Sequence, residues 1–185
     1  MLHHTHFKFR EELSLREPGE TKFIIIHHSR VPGEHSVQEI HKWHLKRKTK
    51  DGKLWAGIGY HFYITKKGEI YEGRPLDAVG SHAYGYNRQS VGVCFEGDFN
   101  QEEMTDCQLD ASVMLLSLLS LAFGNAEFRR HDTLDGESCC PGTNFPYKKL
   151  IGKVRVCKKQ LVSLFGEADS FRYRDLLELF ARIEG

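Results

Sequence analysis

The chain has 185 residues, of which 40% are hydrophobic and 28% charged, and a formal net charge of +1. That length suits one domain with a sizeable core, and the composition is that of an ordinary soluble globular protein. Near-neutral charge excludes a dominant electrostatic partner such as nucleic acid, and no apolar run approaches the ~20 residues that span a bilayer. Five cysteines, an odd number with no CxxC pair, argue against a disulfide framework and for reduced synthesis in the cytoplasm.

In chain order, Met1–His6 has no cationic start followed by an apolar segment. No secretory signal is expected there, and the His-rich terminus reads as a frayed end. Residues 22–27 form a β-branched apolar run, a strand buried on both faces that ends in His27. Ser36-Val37-Gln38-Glu39 matches a capping box, and Val37, Ile40 and Trp43 continue a helical stripe to about Lys48. Tyr60–Thr65 and Glu69–Gly73 alternate around Lys66-Lys67-Gly68, a hairpin signature. Residues 77–89 read as loop. Ser90–Glu96 is a second buried strand, whose Gly92 suggests close approach by a neighbour. Thr105 starts the longest helix, which Gly124 ends. Glu127–Arg130 is a short strand leading to His131, residues 132–146 are loop, and a helix runs from about Tyr147 to Phe165. Ser170 caps a last amphipathic segment.

Strands alternating with helices predict an α/β fold, a central mixed β-sheet flanked by helices on both faces. The expected organisation is an N-terminal extension over 1–20, a catalytic domain over 21–166 and a C-terminal amphipathic helix over 167–185.

Three separated segments offer metal ligands: His27-His28, His131 and Cys139-Cys140. Two imidazoles and one thiolate suit a tetrahedral Zn²⁺ and leave its fourth position for water, the signature of a catalytic rather than a structural zinc. Strand alternation lets only one of His27 and His28 face a cleft. Cys139 and Cys140 are likewise too close in sequence to ligate together. A structural zinc would need a fourth protein ligand, for which Cys139 or Asp132 is the available source. His41 and His44 stand three residues apart on the first helix, as a second metal pair or, more simply, as packing residues.

Ile24-Ile25-Ile26-His27-His28-Ser29, Gly59-Tyr60-His61-Phe62, Gly80-Ser81-His82-Ala83-Tyr84-Gly85-Tyr86-Asn87, Val91-Gly92-Val93-Cys94, His131-Asp132 and Cys140-Pro141-Gly142 follow in order. Together they resemble the zinc-dependent N-acetylmuramoyl-L-alanine amidases related to peptidoglycan recognition proteins, most of all the small phage lysozyme-amidases. The resemblance covers roughly residues 20–155. It implies Zn²⁺ held by His27, His131 and Cys140, and an active-site phenol at Tyr60. It also implies substrate contacts from His82 and Asn87, and peptidoglycan as partner and substrate.

The chain departs from the family pattern at two places. Ser138 stands where relatives carry a lysine or threonine, so only a neutral hydrogen bond is available to an oxyanion. Cys94 stands where some relatives carry a catalytic glutamate; Glu96, on the same strand face, either substitutes or sits solvated at the strand end. The implied activity is hydrolysis of the amide between the lactyl group of N-acetylmuramic acid and L-alanine. A module that binds peptidoglycan without cutting it is the alternative. An endolysin-like setting follows from the resemblance, with cytoplasmic synthesis and action on the cell wall.

Overall fold

Apolar side chains on alternate positions of the two long strands face one layer of helices, and the intervening positions face another. The computed structural model describes residues 2–49, 51–124, 126–136 and 138–165; the expected helix over 167–185 lies outside them. Among the described residues the strands and α-helices follow in order: β1 (Leu2–His4), β2 (Phe23–His28), α1 (Val37–Lys46), β3 (Phe62–Ile64), β4 (Ile70–Glu72), β5 (Ser90–Phe95), α2 (Asp106–Ala122), β6 (Glu127–Arg130), α3 (Asp132–Asp135) and α4 (Tyr147–Phe165). The sheet order is β1-β4-β3-β5-β2-β6, with β3 and β4 antiparallel and the other neighbours parallel. A mixed sheet with helices on both faces is therefore what the chain forms.

The larger core lies between the sheet and the helices α2 and α4. Ile24 and Ile26 of β2 and Val91, Val93 and Phe95 of β5 meet Leu115, Leu116 and Leu119 of α2 and Leu150 and Val154 of α4, all buried. Thr105 caps α2 by accepting the Gln108 N–H at 3.1 Å, and the Ser117 hydroxyl bonds Val113 O within α2 at 2.7 Å. On the other face α1 packs Val37 and Ile40 against Ile58, Tyr63 and Cys94. Its capping box forms as the sequence predicts, with Ser36 and Glu39 bonding reciprocally.

Two segments differ from expectation. The loop after β6 contains the short helix α3. The N-terminal residues are not frayed: Leu2–His4 pairs parallel with β4 as an edge strand, and His4 Nδ1 lies 2.7 Å from a Glu72 carboxylate oxygen. The rest of this segment packs across the α1 face, where the Phe7 ring stacks on His41 at 4.2 Å. Arg10 N–H donates to Ala56 O at 2.8 Å, and Arg16 N–H donates to Asp77 O at 2.7 Å.

Arg16 is the deepest anchor of this segment. Its side chain is buried and donates to the carbonyls of Ser90, at 2.7 Å, and Leu76. Burial pulls its pKa down to about 10, still cationic at neutral pH. Arg16→Ala strands both carbonyls, so a loss of roughly 2–4 kcal/mol of unfolding free energy is expected in urea titrations. An unchanged midpoint would make the N-terminal segment a passive cover.

A candidate metal centre at the end of the parallel strands

Sheet register brings the first two candidate ligands together. β2 and β6 run parallel with Ile26 opposite Arg130, so the next residue on each strand, His27 and His131, stand side by side. His131 N–H donates back to Ile26 O at 3.3 Å, which holds this register one residue past the strand end. The two rings lie 4.6 Å apart between centroids, the lateral spacing of neighbouring strands. On the other side His27 is paired with Cys94 of β5, and Cys94 with Tyr63 of β3. One row across the sheet thus reads His131, His27, Cys94, Tyr63.

The third candidate ligand returns from the loop before α4. Asp132 N–H donates to Cys140 O at 2.8 Å, tying that loop to the end of β6. Cys140 N–H donates to Ser138 Oγ at 3.0 Å. Cys140 Sγ lies 3.7 Å from His27 Nδ1 and accepts the His28 backbone N–H at 3.4 Å. The ligand atoms of His27, His131 and Cys140 all lie within 4.8 Å of one another. A tetrahedral zinc with bonds of about 2.0–2.3 Å separates its ligand atoms by roughly 3.3–3.7 Å, so this donor set fits that ion with slight closure. The His28 N–H reaches the sulfur, which as a thiolate would be the form that binds metal.

The alternatives left open by the sequence separate here. The His28 side chain lies on the opposite sheet face, where its Nδ1 accepts Phe99 N–H at 3.2 Å. Cys139 is exposed, with its sulfur 3.7 Å from Asn100 Nδ2. Asp132 binds the Arg130 guanidinium. Glu96 is neither solvated nor at the cleft: it is buried, accepting the backbone N–H groups of His35 and Lys66. His41 and His44 are packing residues that accept the N–H groups of Ile58, at 3.2 Å, and Gly59, at 3.0 Å. They thereby fix the segment that carries Tyr60.

Burial governs the electrostatics. The His27 ring is pushed well below the usual histidine range by desolvation, then by the neighbouring His82 and His131, so it is neutral and able to ligate. Tyr60 is pushed well above the usual tyrosine range, first by burial and then by Cys94 and Cys140, and its ring lies 5.2 Å from that of His27. The Cys94 thiol, bonded to Tyr60, is raised by the same burial and stays protonated.

Above the centre opens a cleft of about 980 Å³. Tyr60, His82, Asn87 and Ser138 line it, with Trp55 and Tyr84 as its aromatic walls and Arg30, Arg47 and Lys48 as cationic positions. Asn87 Oδ1 accepts the N–H groups of His82 and Ala83 at 2.8 and 2.9 Å, holding the loop along one wall. Both His82 ring nitrogens have partners inside the protein: Nδ1 lies 3.0 Å from His27 Nε2, and Nε2 lies 3.5 Å from Ser90 Oγ.

Residues 17–143 match the family described as N-acetylmuramoyl-L-alanine amidase. An endolysin of Klebsiella phage KP32 is 34% identical over 127 residues, covering 65% of this chain and 80% of the relative. Peptidoglycan-recognition protein SC2 of Drosophila melanogaster is 33% identical over 117 residues, 58% of this chain and 57% of the relative. The solved N-acetylmuramoyl-L-alanine amidase LysC from Clostridium intestinale URNW superposes with a TM-score of 0.73 at 33% identity, over 84% of this chain and 97% of the other. The protein is an enzyme of the amidase class. The chain belongs to the N-acetylmuramoyl-L-alanine amidase family.

Two histidines behind the cleft carry a pH signature. Desolvation lowers His44 to about 3, helped by Arg47, and lowers His61 to about 3, helped by Arg16. Both are neutral in the fold but take up protons in the unfolded chain below the ordinary value of 6.5. Their contribution is therefore complete above that value and is lost as pH falls towards 3. The urea midpoint of the metal-free protein should be lower at pH 5 than at pH 7.5, with a slope of up to about 1.4 kcal/mol per pH unit for each histidine. A flat profile across that interval would contradict their neutral burial.

Proposed function

We propose that the protein hydrolyses the amide joining the lactyl group of N-acetylmuramic acid to L-alanine in peptidoglycan, with Zn²⁺ held by His27 Nδ1, His131 and Cys140. The observation that carries this reading is the convergence of these three ligand atoms within 4.8 Å, beneath an open cleft, with no fourth metal-binding side chain in the cluster among the described residues. A zinc ion in such a site acidifies water and polarises the scissile carbonyl.

The chain's own groups do the rest. Tyr60 remains a neutral phenol at working pH and donates a hydrogen bond to the oxygen that gains charge as the amide is attacked. Ser138 holds the Cys140 loop through the Cys140 N–H, and its hydroxyl adds a second neutral hydrogen bond. Asn87 keeps the 81–87 loop in place as a wall for the stem peptide. The cationic positions Arg30, Arg47 and Lys48 suit the carboxylates of such a peptide. The family's recognition proteins suggest binding without cleavage as a second reading, but the placement of Cys140 beside His27 and His131 supports the hydrolase. Likeness to a phage endolysin supports action on the cell wall after cytoplasmic synthesis, and among the described residues no helix is long and apolar enough to cross a membrane.

His27→Ala and Cys140→Ala should each lose zinc and abolish release of L-alanine amino termini from purified cell walls; full activity in both variants rejects the ligand assignment. Tyr60→Phe should retain zinc while turnover falls by ~10²-fold, the scale for one oxyanion donor. Unchanged turnover would make Tyr60 a packing residue.

A further inference from the structure

We propose that His82 is a positioning residue: it accepts the Nε2–H of His27, and so fixes the tautomer and ring angle that turn His27 Nδ1 towards the metal. This inference rests on the assignment of His27 as a ligand.

The direction of each hydrogen bond follows from the partners. The Ser90 hydroxyl donates to Tyr86 O at 2.7 Å, so its oxygen is available to accept. His82 Nε2, 3.5 Å away, can therefore carry its proton towards Ser90 Oγ, which leaves Nδ1 as an acceptor. The nitrogen 3.0 Å from that acceptor is His27 Nε2, which must then hold the proton. A neutral imidazole carries one proton, so His27 Nδ1 is left with a bare lone pair 3.7 Å from Cys140 Sγ. With the bond reversed, Nδ1 would carry the proton and could not ligate.

The ring of His82 is also locked in place. A Cβ on Gly80 would fall 2.4 Å from its Cδ2, and a Cβ on Gly92 would fall 2.6 Å from its Cγ and Cδ2. Two glycines on separate segments thus make the slot the ring fills. The backbone beneath is set by His61, whose Nδ1 accepts Gly92 N–H at 2.9 Å and whose Nε2 donates to Ala78 O at 2.9 Å. Such a slot serves an orienting ring better than a side chain meant to turn towards a substrate. The substrate contact expected of His82 from sequence is the competing role.

Zinc affinity, measured by competition with a chromophoric chelator, tests the proposal. His82→Leu should weaken binding by roughly 10–100-fold, the usual cost of losing a partner of a metal-ligating histidine. His82→Asn places an amide oxygen near the position of Nδ1 and should recover most of that loss. Nitrogen-15 NMR of the metal-free wild type should show His27 as a single Nε2–H tautomer, a readout independent of whether either variant folds. An Nδ1–H tautomer in the wild type overturns the proposal. So does wild-type zinc affinity in His82→Leu accompanied by a raised KM for wall fragments, since that pattern belongs to a substrate contact. Equal loss in His82→Leu and His82→Asn overturns it as well. A wild type that binds zinc with the expected tautomer but leaves wall amides intact sinks the hydrolase reading and leaves the positioning role standing.

Discussion

An imidazole can offer a lone pair to a metal from one nitrogen only when its proton resides on the other, and the proposed zinc site is organised around that requirement at His27. The strand supplies the position, since the end of β2 is where the parallel ladder stops and a cleft can open. Position alone leaves the ring free to choose its tautomer. The layer behind it removes the choice, through His82, Ser90 and the two glycines that admit the His82 ring. Below that layer Arg16 bonds Ser90 O, so an N-terminal residue outside the ordered motifs supports the backbone on which the arrangement rests.

Neutral histidines in this number carry a cost in stability. His27, His82, His61 and His44 are all buried with their charged forms disfavoured. The backbone bonds they make offset part of the desolvation: His44 accepts from Gly59, and His61 accepts from Gly92 while donating to Ala78. The larger balance comes from the opposite sheet face, where β2 and β5 place Ile24, Ile26, Val91, Val93 and Phe95 against α2 and α4. The period-two alternation of the strands therefore divides the labour. One face of β2 builds the core, and the other presents His27.

Local patterns were legible in the sequence wherever a short-range rule decides the outcome. The Ser36–Glu39 capping box, the Thr105 start of α2, the hairpin about Lys66-Lys67-Gly68 and the apolar runs of β2 and β5 all follow from neighbours within a few residues. Ligand candidates were legible too, because His and Cys are rare enough to stand out, and Gly92 pointed to a close neighbour without naming it. What stayed hidden depends on long-range partners. Leu2–His4 has no strand signal of its own and becomes a strand because β4 offers a free edge. Glu96 looks like a surface carboxylate until the chain brings the His35 and Lys66 amides to it. His82 lines the cleft as its loop-forming neighbours suggest, but its ring partners lie on β2 and β5, out of reach of a sequence reading.

The two departures from the family pattern, Cys94 and Ser138, act in the same direction. At the Cys94 position a carboxylate would bring charge and basicity beside His27 and Tyr60; here burial keeps the thiol protonated, and it hydrogen-bonds Tyr60. Ser138 offers a hydroxyl where a lysine would offer a cation. Tyr60 is itself held neutral, so it cannot serve as a base near neutral pH, and the role of donor is the one the proposed reaction gives it. In the proposed reaction, the chain's contribution around the reacting amide is a set of neutral, preorganised hydrogen bonds, with Arg30, Arg47, Lys48 and Asp51 as the charged groups of the cleft lining. Such a site gains its selectivity for charge development from geometry, which is why the rigidity behind His27 matters more here than it would in a site supplied with a lysine and a glutamate.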